Sequence, residues 1–258
     1  MTAKNSQYPT AIIMSKLPYE ITRIEINGQT LEYEDEVQSL NYDNIWPIDE
    51  DDARVLFHKT KELFDRAGLK FSLTFGSLLG AVRDKGLIKG DEDVDIFVWD
   101  EEKLCNNLIS FQKDGLKVCR ICPGALYSFR VDPSCYIDVY IRRELKGWKT
   151  FPWRLYCVSL CGNETPRKFF KEWSEIEFLG EKVLCPANPE KLLEFWFGSD
   201  WRIPQNKKGT YRVKSAQVYR LFLMRIRRIG NALKFLVNKE YRQKILKRKK
   251  ETGSFFSH

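Results

Sequence analysis

The chain has 258 residues, of which 43% are hydrophobic and 14% aromatic, and its formal net charge is +8. This is the composition of an ordinary globular protein that can bury a sizeable core. No apolar run of about 18 residues predicts a membrane-spanning helix, and the N-terminus does not follow the plan of a signal peptide. Seven irregularly spaced cysteines do not predict a disulfide framework. We therefore expect a cytoplasmic protein.

The charge is distributed unevenly along the chain. Residues 207–258 hold 16 Lys and Arg against two Glu, a net charge of +14, which leaves −6 on residues 1–206. We predict an N-terminal addition over 1–45, a catalytic domain over 46–206, and a basic helical region from 207 that packs on the catalytic domain or extends from it.

In chain order, the first half of the sequence predicts a hairpin and then alternating helices and strands. Asn-Gly separates two short alternating runs in "RIEINGQTLEY", which predicts a hairpin over 23–33. The patterns that follow predict a helix over 50–67 with Val55, Leu56, Leu63 and Phe64 on its apolar face, a strand over 69–75, a turn at Gly76-Ser77, a short helix, and a strand over 93–99.

The second half predicts a helix over 101–113 and strands near 116–121, 125–131 and 135–142. A hairpin over 175–186 that turns at Gly180, a helix over 188–198 and a basic helix from 213 complete the pattern. The fold class is therefore α+β, with a mixed rather than purely parallel sheet flanked by helices.

Acidic residues crowd the start of the apolar strand in "GDEDVDIFVW". On a strand Asp93 and Asp95 project from one face, and Asp138 in "YIDVYI" is placed on a strand that could lie beside it. Neighbouring carboxylates in an apolar setting need a cation, and Mg²⁺ (or Mn²⁺) suits oxygen ligands. Only two histidines occur in the chain, which excludes a His-rich metal site. Three acids on two strands could hold two ions.

The Gly76-Ser77 turn lies upstream of these acids and opens a helix, so its backbone N–H groups could bind a phosphate. Arg83 is either a second phosphate ligand or a cation that caps the helix dipole. Lys85 either steers an anionic donor or is a solvated loop lysine. Together with the acids, these residues indicate phosphoryl or nucleotidyl transfer.

Several motifs make the sequence resemble the LicD/fukutin family. They are "GSLLGAVRDKGLIKGDEDVDI", "YIDVYI" and "FLGEKVLCPANPEKLLEFWFGSDWRIP", and together they cover about residues 50–205. The resemblance implies a nucleotidyltransferase fold with a polymerase-β-like core. It also implies a transferase that moves a phospho-alcohol group, such as phosphocholine or ribitol phosphate, from a CDP-activated donor to a sugar hydroxyl.

The resemblance also assigns roles to residues of this chain. It implies Asp93, Asp95 and Asp138 as metal ligands and catalytic residues, with Asp138 assisting deprotonation of the acceptor. Gly76, Ser77 and Arg83 are then expected around the phosphates, and Asp91 and Glu92 are expected to support the ligands from behind. The acceptor is expected to be a surface glycan or its lipid-linked precursor.

The chain departs from the family pattern at the entrance to the acidic strand. It has Lys-Gly-Asp-Glu-Asp over 89–93 where many members have Pro-Trp-Asp-Asp-Asp, Asp84 in place of a frequent His, and Phe197 in place of Tyr. The paired acids survive, so we expect activity. We expect the substrate to differ from those of relatives because of this altered entrance.

Other interpretations remain open. A nucleotidyltransferase that adds NMP to a protein, RNA or small molecule would use the same acids, and a non-catalytic binding module would use the basic helix. That helix either packs through an apolar stripe and exposes its basic face to solvent, or it lies on the inner face of an anionic membrane. Nucleic acid is disfavoured. A Cys₄ zinc site from residues 119, 122, 157 and 161 is also disfavoured.

Overall fold

The computed structural model describes residues 19–36, 47–132, 135–145, 157–161, 163–204, 225, 229–231 and 233–252. The chain forms two compact units, Met1–Thr210 and Tyr211–His258. The domain boundaries predicted after residues 45 and 206 stay a prediction.

The first element is the predicted hairpin. Strands β1 (Tyr19–Ile26) and β2 (Gln29–Glu36) pair antiparallel. Asn27 and Gly28 connect them with φ angles of 51° and 75°, the left-handed conformation that an Asn-Gly hairpin turn uses. Leu31 and Tyr33 of β2 are buried in the hydrophobic core, so the hairpin is an integral part of the first unit.

A mixed sheet forms the centre of the first unit. Its strands are β3 (Phe71–Leu73), β4 (Val94–Val98), β5 (Lys117–Cys122), β6 (Leu126–Arg130), β7 (Ile137–Leu145), β8 (Cys157–Leu160), β9 (Asn163–Pro166), β10 (Trp173–Phe178) and β11 (Glu181–Pro186). Within the described part of the chain the order is β10-β11-β3-β4-β7-β6-β5, with β8 paired to β7 and β9 to β8.

Strand directions confirm the predicted α+β class with a mixed sheet. The β11/β3 and β4/β7 pairs are parallel, and the other pairs are antiparallel. All five residues of β4 are buried, which places this strand at the centre of the sheet with both faces covered.

Among the described residues, four α-helices with defined bounds lie in the first unit and one in the second. They are α1 (Glu50–Arg66), α2 (Phe75–Arg83), α3 (Glu101–Lys113), α4 (Pro189–Phe197) and α5 (Lys239–Thr252). Asp49 caps α1 by accepting a hydrogen bond from the backbone N–H of Asp51 at 2.9 Å. Leu56, Leu63 and Phe64 of α1 are fully buried as predicted, whereas Val55 is exposed.

The start of α2 differs from the prediction. The helix begins at Phe75, so Gly76 and Ser77 lie in its first turn rather than in a turn before it, and β3 ends at Leu73. Phe75 has a φ of 38°, a conformation that costs energy for a residue with a side chain. Its ring packs 5.0 Å from both the Tyr140 and the Trp196 rings. This packing offsets the backbone strain, which no local sequence pattern could indicate.

The second unit contains α5 and further helical residues over 229–231 and 233–237. The predicted apolar stripe begins with Phe222 and Ile226, which lie outside the described residues, and continues with Ile229, Leu233 and Leu236, which are exposed. Among the described residues, no helix combines the length and apolar character needed to cross a bilayer.

Candidate active site

Three aspartates meet where β4 and β7 begin. Asp93 immediately precedes β4, Asp95 is its second residue, and Asp138 is the second residue of β7. One carboxylate oxygen from each lies within 4.8 Å of the others. Since β4 and β7 are parallel with Asp95 paired to Asp138, the two side chains project from the same face of the sheet. The structure thus brings together the three acids that the sequence singled out.

The polar row continues across two more strands. Asp138 pairs with Ser128 on β6, and Ser128 pairs with Arg120 on β5. Ser128 Oγ donates to Asp138 Oδ1 at 2.5 Å, and Arg120 Nη2 donates to the same oxygen at 3.1 Å. Arg120 Nε also donates to Ser128 Oγ at 3.0 Å. Asp138 is therefore held by two donors, one from the adjacent strand β6 and one from β5, the next strand in the sheet.

Helix α2 holds Asp95. The backbone N–H of Gly76 donates to Asp95 Oδ2 at 3.1 Å, and Ser77 Oγ accepts from the backbone N–H of Asp95 at 2.8 Å. Tyr140 donates a side-chain hydrogen bond to the Asp95 carboxylate. Ser77 is buried, so its hydroxyl connects α2 to β4.

Burial and mutual repulsion make the ionised form of this cluster costly. Burial, together with repulsion from Asp138 and the other nearby carboxylates, raises the pKa values of Asp93 and Asp95 well above the ordinary value. Burial also raises the pKa of Asp138, but Arg120 and the Ser128 hydrogen bond oppose that shift. The cluster therefore favours the binding of protons or of a cation.

Asp91 is a fourth carboxylate beside the cluster. Burial raises its pKa to about 6, and Arg83 opposes the shift. Its Oδ2 is buried without a hydrogen-bond partner among the described residues. A Cβ on Gly76 would lie 2.9 Å from this oxygen and 3.3 Å from Asp95 Oδ2. Residue 76 must therefore lack a side chain for Asp91 and Asp95 to approach α2 this closely.

The second glycine of "GSLLG" has a related purpose. A Cβ on Gly80 would lie 2.4 Å from the carbonyl oxygen of Gly86 and 3.1 Å from the backbone nitrogen of Ile88. Gly80 thus lets the loop that leads to Asp91 pack directly on α2. One glycine allows the carboxylates to approach the helix, and the other allows the loop that carries Asp91 to do so.

The remaining predicted residues lie nearby with different surroundings. Arg83 ends α2 and forms a two-point ion pair with Asp84, with nitrogen–oxygen distances of 2.9 and 2.7 Å. Its Nη1 donates to the Trp201 carbonyl at 3.5 Å. Lys85 is exposed on the following loop with a φ of 62°. Glu92 is half-buried, and burial raises its pKa.

The donor set fits a hard divalent cation. It offers carboxylate oxygens without imidazole or thiolate, the ligands that suit Mg²⁺ or Mn²⁺. The unpartnered Asp91 Oδ2 adds a further oxygen close to Asp95. The buried triad is thus compatible with divalent metal binding. Of the disfavoured cysteine set, Cys119 is buried and Cys122 and Cys161 are exposed, while the Cys157 side chain lies outside the described residues.

Sequence reasoning missed Arg120, Ser128 and Tyr140 as parts of this site. Tyr140 alternates with Asp138 on β7, a signal that was visible in "YIDVYI". Ser128 is a fully buried hydroxyl inside the apolar strand β6, and Arg120 is a cation inside β5. Strand pairing is needed to bring these two residues to Asp138, because their sequence separations are 10 and 18 residues.

Comparison with solved structures gives distant likenesses. The chain is similar to the lincomycin-bound lincosamide antibiotic adenylyltransferase LnuA, with a TM-score of 0.38 and 11% identity over 65% of this chain and 93% of that chain. It is also similar to the antibiotic-resistance factor ANT(2'')-Ia, with a TM-score of 0.38 and 14% identity over 70% and 94%. No curated protein sequence matches the chain.

The family comparison covers the whole acidic site. Residues 68–188 match the model described as "LicD/FKTN/FKRP, nucleotidyltransferase domain". This range includes both glycines of α2, the acidic strand and Asp138, and it ends within the final block of the resemblance, at residue 188. The match supports a transferase of nucleotidyltransferase type. The match supports membership of the LicD/fukutin family.

Proposed function

We propose that the protein transfers a phospho-alcohol group from a CDP-activated donor to a sugar hydroxyl and releases CMP. The observation that carries this proposal is the buried meeting of Asp93, Asp95 and Asp138 at the start of two parallel strands. A buried excess of carboxylates is costly unless a cation balances it. Family membership supports phosphoryl chemistry as the reason for that cation.

Asp93, Asp95 and Asp138 would hold the divalent ions, Mg²⁺ or Mn²⁺. Two such ions would acidify the acceptor hydroxyl and neutralise charge on the departing CMP. Asp91 and Glu92 would support these ligands, and the Gly76 N–H and Ser77 hydroxyl would keep Asp95 in place. In this role Gly76 holds the carboxylate of Asp95 and Ser77 holds its backbone N–H, in addition to their proposed place near the phosphates.

The reaction requires a proton acceptor for the sugar hydroxyl. The acceptor oxygen forms a bond to the phosphorus that carries the alcohol, and the bond from that phosphorus to the bridging oxygen of the diphosphate breaks. CMP departs with the bridging oxygen. Asp138 is the proposed proton acceptor. Its Oδ1 already accepts from Ser128 and Arg120, so one lone pair of Oδ2 would serve the ion and the other would take the proton.

Arg83 and Lys85 are the proposed cationic partners of the donor diphosphate. Arg83 lies close enough to Asp91 to lower the pKa of that carboxyl group, which supports a position at the edge of the acidic cluster. Lys85 is exposed on the loop that follows. Arginine binds phosphate through two donors, whereas lysine acts as a point charge.

The proposed acceptor is a surface glycan or its lipid-linked precursor. The cytoplasmic protein would bind this acceptor at the inner face of a membrane. Helix α5 supports this placement because it carries a run of Lys and Arg, and basic helices bind anionic lipid surfaces. Neither the acceptor nor the membrane is required for the chemistry at the three aspartates.

A CMP-release assay tests the proposal. Purified protein is incubated with Mg²⁺, candidate glycans and each of CDP-choline, CDP-ethanolamine, CDP-ribitol and CDP-glycerol, and the transferred group is identified by mass spectrometry. We expect one donor to release CMP in an acceptor-dependent manner. Asp95→Asn serves as the inactive variant and Glu177→Gln, an exposed carboxylate on β10, as the matched control.

Two outcomes would contradict the proposal. Transfer of NMP from CTP or another nucleoside triphosphate, with no CMP release from any CDP-alcohol, would establish the nucleotidyltransferase alternative. A second such outcome is that no donor gives a product and that Asp95→Asn binds its partner through the basic helix as the wild-type protein does. This outcome would favour a non-catalytic binding module.

A further inference from the structure

Arg120 is the one cation in direct contact with the acidic triad among the described hydrogen bonds and ion pairs. Its guanidinium contacts Asp138 and Ser128 at the same time, and it lies 5.8 Å from the centre of the Tyr136 ring. Its side chain is 18% exposed, so the group is largely fixed by its surroundings. An arginine held on three sides has little freedom to leave Asp138 for a substrate.

The contacts of Arg120 distinguish the two oxygens of Asp138. Oδ1 accepts from both Ser128 Oγ and Arg120 Nη2, and two hydrogen bonds fill the two lone pairs of a carboxylate oxygen. Oδ2 is then the oxygen of Asp138 that is left for a cation. The pairing register of β5, β6 and β7 sets this arrangement.

We propose that Arg120 is a positioning residue that, together with Ser128, fixes Asp138 so that this aspartate presents a single oxygen to the divalent cation. This inference rests on the metal site of the proposed function. Arg120 does not contact the reacting atoms in this role, and it acts through Asp138. Outer partners of metal ligands commonly set ligand orientation, and their loss weakens metal binding by about 10- to 100-fold.

Two other roles for Arg120 make different predictions. If it only repelled the cation through its charge, its removal would tighten metal binding, and lysine would replace it fully. If it bound the donor phosphates, its loss would leave binding of the metal alone unchanged. Lysine keeps the charge but lacks the planar fork that reaches two acceptors at once. Arg120→Lys therefore separates orientation from charge.

The test measures Mn²⁺ binding to the full-length protein without donor, by electron paramagnetic resonance of the free ion. We expect Arg120→Lys to weaken binding about tenfold or more, and Ser128→Ala to weaken it by a smaller factor. In an Asp138→Asn background, we expect Arg120→Lys to change the dissociation constant by less than about twofold, because a residue that acts through Asp138 has no effect without it.

Arg130→Lys is the matched control. Arg130 lies on the adjacent strand β6, is 11% exposed and pairs with Glu34 of the hairpin, away from the triad. We expect wild-type Mn²⁺ affinity in this variant. Thermal melting of every variant shows whether the fold is retained, and Ser128→Ala supplies the test if Arg120→Lys fails to fold.

The outcomes separate this inference from the proposed function. Mn²⁺ binding that depends on Asp93 but is unchanged or tighter in Arg120→Lys would overturn the role of Arg120 alone. An equal effect of Arg120→Lys in the wild-type and Asp138→Asn backgrounds would also overturn it. Absence of Mn²⁺ binding by the wild-type protein would contradict the metal site and, with it, the positioning role.

Discussion

The two ends of strands β4 and β7 show opposite solutions to the burial of charge. At the beginning of the strands, Asp93, Asp95 and Asp138 lie together, and one arginine, Arg120, pairs with Asp138. At the other end, two arginines share one carboxylate, since Arg142 and Arg167 both contact Glu144, at 3.0 and 3.7 Å.

Aromatic rings and solvent make the second arrangement inexpensive. The Arg142 guanidinium lies 5.9 Å from the ring centres of both Trp99 and Phe170, and the Arg167 side chain is 46% exposed. A cation over a ring is attracted by its π-face. The carboxylates at the acidic end gain no such stabilisation, because the π-face of an aromatic ring does not attract an anion. The comparison indicates that the acidic end favours a bound cation, whereas aromatic rings, Glu144 and solvent stabilise the arginines of the other end.

The largest expected effect is the loss of activity when the acidic end is changed. Asp95→Asn keeps the volume of the side chain and removes its charge, so we expect turnover to fall by about 10²-fold or more, as for loss of a group that stabilises transition-state charge. The fold should be retained, because the substitution also removes repulsion within the cluster. Turnover and melting temperature measure the two effects, and Glu177→Gln is the control. Equal losses in both variants would contradict the assignment.

The second prediction concerns pH in the absence of metal. The folded-state pKa of Asp91 is raised from 3.8 to about 6, and burial also raises the pKa values of Asp93 and Asp95 well above the ordinary value. The folded state therefore binds more protons than the unfolded state, and stability falls as pH rises through this window. We expect the metal-free melting temperature to be several degrees lower at pH 8 than at pH 5.

Divalent cations should reverse this trend, since an ion that binds only the folded state stabilises it. Melting curves at both pH values, with and without Mg²⁺, measure the effect. The Asp95→Asn variant should show a smaller pH dependence. A metal-free protein that becomes more stable as pH rises from 5 to 8 would contradict the raised carboxyl pKa values.

The third prediction concerns the close approach of α2 to the acids. Gly76→Ala would place a Cβ 2.9 Å from Asp91 Oδ2 and 3.3 Å from Asp95 Oδ2, so both carboxylates must move. We expect turnover and Mn²⁺ affinity to fall about tenfold, even though alanine favours a helix over glycine. Gly86→Ala is the matched control, because its Cβ would meet nothing within 4 Å. Wild-type activity in Gly76→Ala would show that the close approach of α2 to the carboxylates is not needed for activity.

The smallest effect is expected at the aromatic end. Arg142→Met removes the ion pair with Glu144 but keeps an apolar side chain against Trp99 and Phe170, and Arg167 still faces Glu144. We expect a loss of about 1 kcal/mol in the free energy of unfolding, seen as a fall of about 2–4 °C in melting temperature, with unchanged turnover. A loss of turnover comparable to that of Asp95→Asn would show that the two ends are not functionally separate.

Much of this fold could be predicted from local patterns. The hairpin at Asn27-Gly28, the helix that begins at Glu50, the helix over 101–113 and the hairpin at Gly180 follow from turn chemistry and periodicity. The start of α2 could not be predicted, because the left-handed Phe75 depends on Tyr140 and Trp196 from distant parts of the chain.

The same division applies to the site. Asp93, Asp95 and Asp138 could be found because their spacing on strands is a local pattern and because the family motifs mark them. Arg120 and Ser128 could not, since only the register of three strands brings them to Asp138. The proposed metal-binding aspartates can therefore be found from local sequence patterns, whereas the residues that position them can be found only from the tertiary structure.

The most direct test of the central claim is to locate Mn²⁺ in the protein by anomalous diffraction from crystals soaked in MnCl₂. The account predicts an anomalous peak within coordinating distance of carboxylate oxygens of Asp93, Asp95 and Asp138, and no such peak in crystals of Asp95→Asn. A wild-type protein without a peak at these carboxylates, or with its only peak elsewhere, would contradict it.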